Sequence, residues 1–141
     1  MSEGPVKRLA TRAEPYAYAA LRIVAGAMFA FHGTQKILGW QSTFPPPAFL
    51  TQMWFGGMIE LIGGLLVAFG LAARCAAFVA SGCMAVAYFQ FHWKFVLTES
   101  MWLPGVNKGE LAALYSFVFL YISTRGAGPL SLHALMAKRK S

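Results

Sequence analysis

Aspartate is absent from this chain of 141 residues, and its acidic residues are five glutamates. Carboxylate cages for hard cations need several such oxygens around one ion, so no metal site is expected. Charge of either sign is scarce. Only 12% of residues are charged, about half of the ~25% usual in soluble domains. Cysteine appears twice, at Cys75 and Cys83. Eight residues along one predicted helix separate them by about 12 Å, beyond disulfide reach. There is no Cys-x-x-Cys pair and no Cys-x-x-Cys-His, so a covalent haem is not expected and the thiols read as small apolar packers. A Gly-rich phosphate loop after a strand and a serine-nucleophile motif are also missing.

What remains is apolar. Hydrophobic residues make up 57% of the chain, more than a small soluble globule can hide, because so small a fold is mostly surface. Lipid solves the problem by acting as the solvent. The net charge of +7 does not point to nucleic acid, since no basic stripe is interleaved with aromatics. Instead Lys7, Arg8 and Arg12 precede the first apolar run, and Lys138, Arg139 and Lys140 follow the last. Such clusters hold helix ends in the cytoplasm beside anionic headgroups.

Four apolar runs fit an all-α, integral membrane bundle of four transmembrane helices, over 17–38, 53–72, 75–96 and 109–125. The first three are long enough for about 30 Å of hydrocarbon, and the fourth is shorter and is expected to gain a turn or tilt. The first run, about 20 residues with Arg22 inside it, is too long for a signal-peptide core. Residues 1–15 read as a polar cytoplasmic tail, with a helix starting at Glu14-Pro15. Residues 126–141 read as a basic cytoplasmic tail, which Gly126-Ala127-Gly128-Pro129 separates from the fourth run. Pro45-Pro46-Pro47 marks a loop or interfacial segment between the first two. With the N-terminus inside, the inner side carries Lys7, Arg8, Arg12, Arg74, Arg125, Lys138, Arg139 and Lys140, and the outer side Lys36, Lys94 and Lys108. That bias places both termini in the cytoplasm.

Charges inside a span cost about 2.5–3.5 kcal/mol at the centre, so each demands a partner or a role. Glu60 lies seven residues into the second run, at nearly the depth of His32 in the first, both about 10 Å below the outer interface. His92, Gln35 and Lys36 lie slightly higher. One outer-half cavity is therefore expected to gather His32, Gln35, Lys36, Glu60, Gln90, His92 and Glu110. Arg22, Gly26, Phe29, Gly33 and Lys36 share one helix face. It should meet Gly56, Glu60, Gly63 and Gly64, with Glu60 paired to Lys36. Arg22, Gly33, Gly63 and Glu110 are candidates for ion pairing or packing. The bland alternatives are snorkelling for Arg22 and Lys36, an interfacial position for His92, a structural hydrogen bond for His32 and close helix contact for every glycine.

The segments LRIVAGAMFAFHGTQKI (Leu21 to Ile37), ELIGGLLVAFGLAAR (Glu60 to Arg74), NKGELAALY (Asn107 to Tyr115) and GAGPLSLHAL (Gly126 to Leu135) together resemble the DoxX family of small four-helix bacterial membrane proteins. The resemblance implies a multi-pass inner-membrane protein tied to redox systems. The family's namesake is similar to a subunit of a thiosulfate:quinone oxidoreductase, and other members are linked to thiol and oxidative-stress complexes. On that footing Glu60, His32, Lys36, Gln35 and His92 become candidates for holding a quinone or relaying protons. An accessory subunit is expected rather than a self-sufficient oxidoreductase, with redox proteins as partners. A non-catalytic scaffold is the first alternative and small-solute transport the second. Homo-oligomerisation stays open. The chain departs from the family at His133, where an Asp is usual.

Overall fold

The computed structural model describes residues 4–139, and no strand occurs among them. Helix α1 runs over Pro5–Leu38, ten residues further towards the N-terminus than the Glu14-Pro15 start expected from sequence. Lys7, Arg8, Leu9, Ala10 and Arg12 are good helix formers. Pro5 occupies the first turn, where a missing N–H costs nothing. Pro15 therefore sits inside the helix and leaves the Thr11 carbonyl without its usual partner. An ion pair joins Glu14, at the base of this extension, to Arg125 at the end of the Glu110–Arg125 helix. Lys140, counted above among the basic residues, lies outside the described residues.

Helix α2 covers Gln52–Phe69 and α3 covers Ala73–Trp93. The Thr51 side chain caps α2 by accepting from the Trp54 N–H. Gly70, at φ +69°, ends it three residues earlier than expected, in a conformation that costs an L side chain energy. A short helix α4 at Pro104–Asn107 interrupts what the sequence presents as loop. Asn107 ties it down, donating to the Met101 carbonyl at 2.9 Å and accepting from the Gly109 N–H at 2.8 Å. Helix α5 spans Glu110–Arg125, and α6, Leu132–Lys138, is capped by Ser131.

Helices α2 and α3 are each long and apolar enough to cross a membrane, and only 28% of either apolar window is buried within the protein. Most of that apolar surface therefore points outward. Helix α1 packs along α2, α2 along α3, and α3 along α5. Phe29, Val67, Phe119 and Ile122 fill the centre and are fully buried, with Phe29 and Phe119 rings 4.7 Å apart. The α1–α2 contact is backbone on backbone. A Cβ at Gly26 would lie 2.7 Å from the Gly64 carbonyl, and one at Gly33 would overlap the Leu61 main chain. Gly63 is buried, yet a methyl there would meet nothing closer than 4.0 Å, so its neighbour Gly64 makes the tight contact.

One end of the molecule is stitched by side chains that satisfy helix-end carbonyls. Arg22 is fully buried. It donates to Val67 O at 2.7 Å and Ala68 O at 2.5 Å at the end of α2, and to Pro129 O at 3.4 Å and Leu130 O at 2.8 Å before α6. It does not snorkel, and among the described residues no carboxylate bonds it. The negative end of the α2 dipole meets its charge instead. Arg74 serves α5 in the same way through the Ser123 and Thr124 carbonyls. The Tyr18 hydroxyl donates to the Gly126 carbonyl.

Candidate functional site

Two π-helical turns contribute residues to one groove between α2 and α3. In α2 the turn covers Ile59–Gly63, and in α3 it covers Tyr88–Trp93. Each places an extra residue in its turn and re-aims the side chains there, a feature frequent at functional sites. The first carries Glu60 and the second His92. Across the α1–α2 contact, Lys36 Nζ meets Glu60 Oε1 at 2.5 Å, with the lysine side chain 37% exposed and the glutamate 4%. The second oxygen, Glu60 Oε2, is buried with no hydrogen-bond partner. Such an orphan costs about 1–3 kcal/mol, more for a charged group.

Lys36, Glu60 and His92 line a cavity of about 560 Å³ whose walls include Phe55, Phe78 and Phe91. That volume falls within the range of ligand pockets, roughly 300–1,000 Å³, and apolar walls with a few converging polar groups are their usual composition. His92 Nδ1 lies 3.3 Å from the Asn107 carbonyl, which orients the ring.

The other residues expected in one cavity are distributed elsewhere. His32 packs edge-on to the Tyr115 ring of α5, with centroids 6.5 Å apart. His32 sits one turn from Lys36, on the flank of that face turned towards α5, and does not line the cavity. Gln35 donates to the Gln41 carbonyl at 3.1 Å in the following loop. Gln90 accepts from Gln52 at 2.5 Å, and Gln52 itself lines the cavity. Glu110 is exposed at the start of α5.

Two residues of interest were not singled out from sequence. Cys83 lines the cavity and lies within electrostatic range of both Glu60 and Lys36. Its signal was the α3 face formed by Phe78, Val79, Gly82, Cys83 and Val86, which helical periodicity alone defines. Tyr115 is also within electrostatic range of Glu60, and its hydroxyl is buried and unpartnered. Removing an unsatisfied hydroxyl should not destabilise, so Tyr115→Phe is expected to leave thermal stability unchanged or to raise it by up to about 1–3 kcal/mol. A clear loss in a detergent melting experiment would show that the hydroxyl has a partner.

The family model that matches this chain is DoxX, over residues 17–93. All residues lining the cavity fall within that span. The chain is 41% identical over 125 residues to an uncharacterized protein of Haemophilus influenzae, covering 84% of this chain and 89% of that protein. It is 27% identical over 126 residues to a Bacillus subtilis protein named "Putative oxidoreductase CatD", covering 85% and 87%. No solved structure matches.

Proposed function

The chain belongs to the DoxX family, and on that premise we propose that it is a multi-pass protein of the bacterial plasma membrane, the accessory subunit of a redox system, holding a quinone between α2 and α3. The observation that carries this reading is the buried Glu60 carboxylate, with one oxygen on Lys36 and the other without a partner, at the wall of an aromatic cavity. The oxidoreductase name of the Bacillus subtilis relative supports the redox assignment. Four spans follow from the apolar runs, and the distribution of Lys and Arg puts both termini inside. The cavity then lies towards the outer face.

The residues suit a flat ring bearing two oxygens, one that accepts from Lys36 and one that carries a hydroxyl to Glu60, as the reduced quinol does. A quinone bound there would supply two-electron, two-proton chemistry. Lys36 donates to an oxygen at the cavity mouth and stabilises negative charge on it. Glu60 Oε2 would accept a hydrogen bond from a hydroxyl of the reduced quinol and take up its proton on oxidation, and Lys36 keeps the carboxylate charge favourable at that depth. Phe55, Phe78 and Phe91 exclude water, which strengthens both interactions. The electrons are assigned to a partner protein, because Cys75 and Cys83 are too far apart along α3 to cycle as a disulfide.

Titration of the detergent-purified protein with ubiquinone and menaquinone analogues tests this. Trp54 and Trp93, each adjacent in sequence to a lining residue, are expected to show saturable quenching. Glu60→Gln, with helix content retained, should weaken binding of the reduced, quinol form of the analogue at least about tenfold, the value of one charge-assisted hydrogen bond. Quenching that never saturates would sink the quinone assignment. Loss of stability in Glu60→Gln without any ligand effect would favour the scaffold.

A further inference from the structure

A second cavity, of about 870 Å³, opens on the opposite side of α2, between α1, the end of α2 and α6. Its lining is unlike that of the first. Ile23 and Ala27 of α1, Leu65 and Phe69 of α2, and Leu135 of α6 form an apolar trough, and Tyr16 and Lys138 stand at one end. No carboxylate lines it. From Ala30 to Tyr16 the trough follows α1 for about 21 Å, enough to match one leaflet of a ~30 Å hydrocarbon core.

Its α1 wall continues into cations. Arg8, Arg12, Tyr16, Ile23, Ala27 and Ala30 fall within about 100° of one another around the helix, so the stripe that is apolar along the trough becomes basic beyond Tyr16. Arg8 and Arg12 are exposed, and Glu14, on another face, is engaged with Arg125. The roof is fixed in place. Arg22 holds the Pro129 and Leu130 carbonyls, and Ser131 caps the helix that carries Lys138.

We propose that this trough is a binding site for an anionic phospholipid, with one acyl chain along Ile23, Ala27 and Leu65 and the phosphate between Arg12 and Lys138. Charge complementarity selects the headgroup, and the dimensions and apolar walls select the chain. A zwitterionic lipid fits the trough equally well but gains less at the mouth. The inference is independent of any ligand at Glu60.

Native mass spectrometry of the full-length protein released from detergent tests it, using phosphatidylglycerol and phosphatidylcholine with identical chains. Phosphatidylglycerol should be retained preferentially. The Arg12→Gln, Lys138→Gln double variant should weaken its retention at least about tenfold, since each cation near a headgroup is worth roughly fivefold. Ala27→Trp, at an exposed α1 position, fills the trough and should release both lipids while size-exclusion behaviour stays unchanged. Equal retention of the two lipids would overturn the proposal. So would full retention in the double variant, which would move the phosphate elsewhere, or full retention in Ala27→Trp, which would leave only a basic surface patch.

Discussion

Arg22→Met is expected to destabilise the folded protein by about 3–5 kcal/mol, because it strips a charged donor from several buried carbonyls at once. Three of the four contacts are short, at 2.5, 2.7 and 2.8 Å. Each charge-assisted bond is worth about 1.5–3 kcal/mol, and the stranded carbonyls lie where water cannot replace the donor. The loss has a location as well as a size. The end of α2 and the turn before α6 share this one side chain, so hydrogen exchange should accelerate over residues 64–70 and 126–138 before it does in α3 or α5. Arg22→Lys should rescue only part, since an ammonium lacks the planar fork that reaches both segments. Unchanged exchange in the tail of Arg22→Met would show that α6 is held by something other than Arg22.

Gly33→Leu should prevent α1 and α2 from docking at all. A single Cβ at this position already overlaps the Leu61 main chain. Backbone cannot rotate aside as the end of a flexible side chain can, so the helices must separate. That separation would pull Lys36 away from Glu60, three residues further along α1, and leave a buried carboxylate without its cation. Overpacking alone costs about 1–3 kcal/mol, and breaking a buried ion pair adds about 3–5. Together these approach the whole stability of an ordinary domain, about 5–15 kcal/mol. Gly63→Ala is the control, having room for its methyl, and should fold normally. A well-folded Gly33→Leu with normal yield and melting temperature would contradict the close contact.

The sequence makes the helices legible wherever a long apolar run meets a turn signal. Gly39 and Pro45-Pro46-Pro47 bracket one loop, and Gly126 to Pro129 mark the end of α5. The start of α1 is illegible, because Pro15 reads locally as a boundary, whereas the Glu14–Arg125 contact at the base of the extension joins residues far apart in the chain. Matching helix faces brings Lys36, slightly above Glu60 in depth, to its partner, and the pair is present at 2.5 Å. Counting depth says nothing of rotation, which is why His32 was grouped with them although it faces α5. The π-helical turns bearing Glu60 and His92 have no compositional mark. Arg22 is a further case. Its charge and depth announce importance, but its partners are main-chain atoms 45 to 108 residues away, and main-chain atoms leave no signature in side-chain identity.

Cys83 offers the most direct test that a ligand occupies the Lys36–Glu60 cavity, since it lines that cavity while Cys75 does not. In a Cys75→Ser background, alkylation of Cys83 by a membrane-permeant maleimide would be timed with and without a saturating quinone analogue. The account predicts that the reduced form of the analogue slows labelling at least about tenfold, as expected when a saturating ligand keeps its site mostly occupied, and that at the concentration giving tenfold protection Glu60→Gln leaves about twofold or less. Equal labelling rates with and without analogue, in a protein shown by the same sample's melting curve to be folded, would contradict it.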